Sequence, residues 1–579
     1  MSTKYDKVPF VRIASDSDDC AVDWRSILRR LQQQLTKASA TICVECYPGV
    51  FEGDIRDAVS GVFPSAAIIN TGDFLKAPEE IEALVARDLT DDPVFGFLSH
   101  LQYANFFTSA RPEIAAEGSC FIIGPGATVL HTRPDLLIYV SVARWEIQQR
   151  QRRNEIGNFG ANNQEASATA KYKRAFFIDW RVADRVKKEV LPRADFWIDA
   201  NDRNHPKMIS GEQYRHALTQ TVKRPFRLVP FFDPGPWGGQ WMREVYGLPA
   251  DAPNYAWCFD CVPEENSLLL GFGDLRLEVP AIDLVFQHPR ELLGQAVHAR
   301  FGTEFPIRFD LLDTMGGGNL SLQVHPLTEY IQEHFGMHYT QDESYYLLDA
   351  GEDACVYLGL KEDVDPAGMI EELRVSQKTA KPFEVDKHVN SWPARKHDHF
   401  LIPAGTIHCS GKNSMVLEIS ATPYIFTFKL WDWGRLGLDC RPRRIHLCHG
   451  AANIQWDRKT EWVKRELINC TEPVAEGDGW REERTGLHER EFIETRRHWF
   501  RKAVEHDTNG GVNVLNLVEG GEVVVESPTK AFEPMRIHYS ETFVVPAAVG
   551  LYTIRPVGKR EQQHATIKAF VRSGTIDIG

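Results

Sequence analysis

The sequence predicts a multidomain chain: an N-terminal α/β domain followed by two all-β jelly-roll barrels. Three observations predict it. Before residue 225, apolar runs alternate with helix-like segments, the pattern of βαβ units around a parallel sheet. From about residue 226 to 450, short strand-like runs are bounded by Gly and Pro, as in a sandwich or barrel. After residue 450 a second series of short strands repeats that pattern. The expected domains are therefore 1–225, 226–450 and 451–579, and 579 residues suffice for two to four separate cores.

In the first domain, Ala40-Thr-Ile-Cys-Val-Glu45 is an apolar strand, and Cys46-Tyr-Pro-Gly49 a turn into a helix. Ser65 to Asn70, Cys120 to Gly124 and Leu136 to Val140 read as further strands. Arg144 to Arg153 is helix-like and arginine-rich, and Phe196 to Asp199 reads as the closing strand. The boundary falls near Lys223 to Arg227. In the third domain, Val512 to Val518, Gly521 to Val525, Glu541 to Pro546 and Leu551 to Ile554 are the strands. His538 and Glu541 lie close in sequence, but no second His accompanies them, so they read as structural.

The chemistry concentrates in the middle. Gln323-Val-His325, Glu343 and His408 can supply two imidazoles and two side-chain oxygens to one divalent metal. Such a mixed set leaves room for substrate, unlike a closed four-thiolate site. In an extended segment from Ser321 to His325, residues two apart share a face, so Gln323 and His325 project together. Glu343 opens the strand-like Ser344-Tyr-Tyr-Leu-Leu348, and His408 follows a Pro-Ala-Gly turn. Each residue alone is an ordinary polar group at a strand end; the combination points to a metal.

These motifs resemble a known family. Pro236-Trp-Gly-Gly239, Leu320 to Pro326, Asp342 to Tyr346, Ile402 to His408, Val416 to Ile419, and Trp431 through Asp439 with Arg441-Pro-Arg occur in order. Together they are similar to a type I mannose-6-phosphate isomerase of the cupin class, from about Pro230 to His449. The resemblance implies that Gln323, His325, Glu343 and His408 bind zinc or another divalent transition metal. It places Arg435, with Asp432, in the catalytic segment and Trp237 at the substrate-binding entry. It implies interconversion of an aldose and a ketose, of the mannose 6-phosphate/fructose 6-phosphate type, through an enediol. Several positions depart from the family. Gln341 and Asp310 stand where it has lysines, and Phe259-Asp260 where it has Trp-Glu. Arg308 shares the strand face of Asp310, where it either substitutes for a lysine toward substrate or pairs with Asp310.

Phe121 through Arg153 resembles a nucleoside or uridine kinase-like P-loop domain. A P-loop needs Gly-x-x-x-x-Gly-Lys-Ser/Thr. Aligned on Gly49, the first glycine is Val44, the lysine Val50 and the hydroxyl Phe51. The expectation is a degenerate domain without ordinary phosphoryl transfer, with Arg144, Arg150, Arg152 and Arg153 available to a nucleotide or phosphate, or else forming a solvated helix face.

Composition narrows the function class. A net charge of −14 argues against a general nucleic-acid surface. No apolar run approaches a membrane span, and the first fifteen residues lack a signal-peptide core. Eleven scattered cysteines fit reduced thiols and a cytoplasmic protein. Cys258-Phe-Asp-Cys261 is a single CxxC without the second pair a structural zinc needs. The expected partner is a sugar or sugar phosphate. The alternative is a non-catalytic sugar-binding or regulatory protein, suggested by the missing lysines; a bifunctional kinase and isomerase is the third reading.

Overall fold

The computed structural model describes the chain except residues 1–3, 15–19, 36, 38, 115–116, 380, 437–442, 487, 489, 560–561 and 573–579. It forms two compact units. One comprises Phe10–Thr221 and Pro263–His288; the other comprises Met1–Pro9, Val222–Val262 and Pro289–Gly579.

The first unit holds a seven-stranded sheet. Its parallel strands run, in spatial order, Ala67–Asn70, Ser119–Gly124, Ala40–Cys46, Leu136–Ser141 and Phe196–Asp199. Lys207–Ser210 and Ala21–Val22 extend it antiparallel. The central strands are mostly apolar because helices cover both faces of such a sheet; Ile42, Cys43, Phe121, Ile122, Ile138 and Val140 are fully buried. The alternation in the sequence thus becomes the expected parallel sheet. Residues 263–288 fold with this unit through a buried pair, Lys187 Nζ to Asp283 Oδ1 at 2.6 Å, which Tyr214 completes by donating to Asp283.

The arginines after Leu136–Ser141 have partners inside this unit. Arg144 is buried against Asp184 at 2.5 Å, and Arg144 NH1 donates to the Glu264 carbonyl. Arg150 donates to the carbonyls of Gly49, Ala200 and Asn201 and lies over the Phe51 ring. Arg153 pairs with Glu146 and Glu155, and Arg152 stacks on Trp145. The loop at Gly49 is therefore closed by a protein guanidinium. A nucleotide or phosphate on these arginines has no support, because donors of Arg144, Arg150 and Arg153 already serve backbone and carboxylates.

The second unit contains two pairs of sheets. In the first pair, a six-stranded sheet includes Ile307–Asp313, Ser414–Ala421, Glu343–Ala350 and His399–Ile402. A five-stranded sheet includes Cys355–Leu360, His408–Ser410, Leu322–Val324 and Phe428–Trp431. In the second pair, six-stranded and four-stranded sheets share one apolar core built from Phe500, Leu515, Leu517 and Phe543 on one side and Val523, Ile537, Tyr552 and Ile554 on the other. Glu541 accepts from Arg227 at 2.8 Å and from the His538 ring at 3.1 Å. That pairing gives both residues of the His538/Glu541 combination a structural job. Cys258 and Cys261 are buried and in no disulfide. Among the described residues no helix is long and apolar enough to cross a membrane.

Candidate metal centre

Two strands of the five-stranded sheet bring the first ligands together. Gln323 and His408 stand directly opposite in antiparallel register, with Gln323 Nε2 3.3 Å from His408 Nε2. His325 follows Gln323 by two residues and shares its face. The facing six-stranded sheet contributes Glu343, the first residue of its strand. Glu343 Oε1 lies 2.8 Å from His408 Nε2, and Oε2 lies 3.3 Å from His325 Nε2. Ligand atoms of His325, Glu343 and His408 all fall within 4.8 Å of one another.

This geometry fits a cation. All three residues are buried, and His325 Nε2 and Glu343 Oε1 have no hydrogen-bond partner. Two imidazole nitrogens and a carboxylate thus converge on one point, the donor set of a divalent metal. Burial alone raises the Glu343 pKa, but the two adjacent histidines hold its carboxyl far below the usual range. His408 is oriented by its other ring nitrogen, 2.8 Å from the Thr406 carbonyl, the usual way an imidazole ligand is aimed.

A second carboxylate, which the sequence reading did not single out, lies beside the cluster. In the six-stranded sheet Glu343 stands opposite Ser420, and Tyr345 opposite Glu418, so Glu418 is the diagonal neighbour of Glu343 on one face. Gln341 Nε2 donates to both, at 3.1 Å to Glu343 and 3.3 Å to Glu418. Burial, then the Glu343 charge, raises the Glu418 pKa well above the carboxylate range. The available signal was a lone Glu in the apolar run Val416-Leu-Glu-Ile419.

Arg308 and Asp310 share a face as expected and pair with each other. Arg308 also donates to Ser420 at 3.1 Å, sits 3.8 Å from Glu418 and covers the Tyr424 ring. Its guanidinium is engaged by these side chains.

Asp432 and Arg435 lie at the neighbouring end of the same sheet. Asp432 accepts from Ser321 at 2.7 Å, and Ser321 shares the face of Gln323 one pleat away, roughly 6.6 Å along the strand. Asp432 also takes Arg435 NH1 at 2.6 Å and Arg443 NH1 at 2.7 Å. Burial opposes its charge, but Lys429, the Ser321 hydroxyl and both arginines keep its pKa low. Arg435 also reaches the Asn319 carbonyl. The Trp237 ring is buried against Trp257 with centroids 4.7 Å apart, and its carbonyl accepts from Gly318, in the loop that Arg435 flanks. The rest of the motif, residues 437–442, lies outside the described residues.

Comparisons with known proteins divide along the chain. Residues 23–223 match a family described as a domain of unknown function, DUF8485. Mannose-6-phosphate isomerase ManA of Bacillus subtilis (strain 168) is 27% identical over 229 residues, 38% of this chain and 65% of that protein. Mannose-6-phosphate isomerase of Streptococcus mutans serotype c is 29% identical over 213 residues, 36% of this chain and 61% of that protein. The crystal structure of the mannose 6-phosphate isomerase from Bacillus subtilis aligns over 60% of this chain and 99% of its own, at 17% identity and a TM-score of 0.49. The chain thus spans 65% and 61% of the length of those two curated relatives, and over more than a third of its own length it is similar in sequence to mannose-6-phosphate isomerases.

Proposed function

We propose that the chain is a metal-dependent aldose–ketose isomerase acting on a sugar or sugar phosphate of the mannose 6-phosphate/fructose 6-phosphate type. The observation that carries the reading is the buried convergence of His325, Glu343 and His408 from two sheets. The sequence similarity to proteins of that name supports it.

In this reading Gln323, His325, Glu343 and His408 hold zinc or another divalent transition metal. Such an ion supplies Lewis acidity toward the hydroxyl and carbonyl oxygens of a sugar. Arg435 supplies a charge-assisted donor to the oxygen that becomes negative as the enediol forms. Asp432, saturated by three donors, positions Arg435 and takes no proton itself. Glu418 is the group that moves the proton between adjacent carbons, since a buried carboxyl beside a second carboxylate titrates far from its usual range. Arg308 acts through Glu418 and Asp310, and Trp237 supports the loop under Arg435. A neutral Gln341 between two carboxylates leaves the centre more negatively charged than a lysine would.

Full-length protein loaded with Zn²⁺ and incubated with aldose and ketose phosphates in D₂O tests this reading. Deuterium at the carbon next to the carbonyl is the expected result. An unlabelled sugar panel with a metal-loaded site would return the chain to the sugar-binding alternative.

A further inference from the structure

The sheet that carries Glu343 has a second face with its own chemistry. Ile402 pairs directly with Glu343, and Leu401 pairs with Ser344, so Leu401 points away from the metal cluster. On that side, Leu401 and side chains from residues 455–490 line a cavity of about 530 Å³. A space of this size suits a small organic ligand.

Four arginines face this cavity, in a chain whose net charge is −14. Two are matched: Arg465 pairs with Glu466 at 2.6 Å, and Arg484 with Glu472. Asp457 also lines the space. Among the described residues Arg458 and Arg490 make no such ion pair. Arg458 is only 3% exposed. Its NH1 is fixed by the carbonyls of Pro403 at 2.7 Å and Ala404 at 2.8 Å and by the Thr406 hydroxyl. Those contacts set the orientation of the guanidinium and use none of the donors on its Nε and NH2. Burial and then the neighbouring Arg490 charge lower the Arg458 pKa to about 10. Asp457, Asp342 and Glu491 offset part of that repulsion, and an anion placed between the two guanidiniums offsets the rest. Trp462 completes the wall, 5.7 Å from the Arg458 guanidinium and 5.8 Å from the His488 ring.

We propose that this cavity binds a small phosphorylated molecule, its phosphoryl group held between Arg458 and Arg490 and its organic part against Trp462. Guanidinium forks match the several oxygens of a phosphoryl dianion better than a single carboxylate. The volume beyond that group and the indole wall give room for an organic body. The site lies on the opposite face of the sheet from the metal cluster, so the inference stands independently of the isomerase reading.

Calorimetric titration of the full-length protein at constant ionic strength, first with inorganic phosphate and then with fructose 6-phosphate, tests it. With inorganic phosphate one saturable site is expected, weakened at least about 10-fold by Arg490→Gln and kept in His325→Ala; the ester is titrated in the His325→Ala background, where the metal cluster is disabled and takes no substrate. Trp462→Leu is expected to weaken the ester and spare inorganic phosphate. Tighter binding of the ester identifies an organic phosphate as the ligand; equal binding identifies free phosphate. Absence of saturable binding at millimolar phosphate, or binding indifferent to Arg490→Gln, overturns the proposal. Binding lost in His325→Ala but kept in Arg490→Gln assigns the phosphate to the metal centre and overturns it as well. A chain without isomerase activity leaves every arm of this titration readable.

Discussion

Glu343 and His408 meet between two different sheets, with Oε1 of the glutamate 2.8 Å from Nε2 of the histidine. The contact places a carboxylate and an imidazole, both fully buried, in a geometry that a cation stabilises and that an empty interior does not. His408→Ala is therefore expected to reduce bound metal by more than about 100-fold in affinity and to abolish isomerase turnover together with it. Elemental analysis of protein purified without chelators, alongside the label-exchange assay, checks this. Metal content unaffected by the substitution rejects the assignment of the centre.

Glu418 gives a different expected outcome. Glu418→Gln keeps the shape and both hydrogen-bonding neighbours but removes the titrating proton. Metal content should stay at the parental level while kcat falls by about 10² to 10⁴. A kcat within a few-fold of the parent excludes Glu418 from proton transfer.

Arg435 is held by Asp432 and by the Asn319 carbonyl. Arg435→Ala is expected to lower kcat by about 10² to 10³ with little change in KM, the signature of an interaction made as negative charge develops. Asp432→Asn should produce a smaller loss of the same kind, since the asparagine still accepts from Ser321 but no longer neutralises Arg435. A pure KM effect in Arg435→Ala means that the residue binds substrate uniformly and has no catalytic role.

The second unit should weaken in mild acid. Burial pushes the imidazoles of His399 and His498 down to about 4. In the unfolded chain a histidine takes a proton near 6.5. Stability from these neutral histidines is thus present above about pH 6.5 and is lost as pH falls toward 4. His498→Gln should narrow the gap in unfolding free energy between pH 7 and pH 5 by about 2 kcal/mol. Denaturant titrations at both pH values read the gap, and an unchanged gap shows that His498 is protonated in the fold.

In the first unit, Lys187 and Asp283 form a pair with 1% and 0% side-chain exposure. Lys187→Met strands the Asp283 carboxylate and is expected to cost about 3–5 kcal/mol. Adding Asp283→Leu should recover part of the loss, because replacing both charges removes the desolvation penalty. Failure of the double variant to recover would mean that the pair's hydrogen bonds, including the one from Tyr214, outweigh its electrostatics.

Strand positions such as Ala40–Cys46 and Leu136–Ser141 were legible because a buried parallel strand is rich in apolar residues without strict alternation. The pairing of Gln323 with His325 on one face was legible because strands have period two. Gln341 was visible only as a missing lysine; its role as a donor shared by Glu343 and Glu418 depends on which strands are neighbours. The arginines from Arg144 to Arg153 read more commonly as a solvated face than as a phosphate site; Arg152 and Arg153 are exposed, but Arg144 and Arg150 are buried. Their partners, Asp184 and the carbonyls of Gly49, Ala200 and Asn201, lie far along the chain.

Local sequence pattern was enough for the element types, the alternation that builds a parallel sheet before residue 225, and the inventory of candidate metal-binding side chains. These follow from local periodicity and residue chemistry, which need no knowledge of distant contacts. Tertiary packing alone settled which distant charges meet: Glu418 beside Glu343, and Arg458 beside Arg490. Such pairings are set by strand register and sheet packing between segments tens to hundreds of residues apart, and no short-range pattern encodes them.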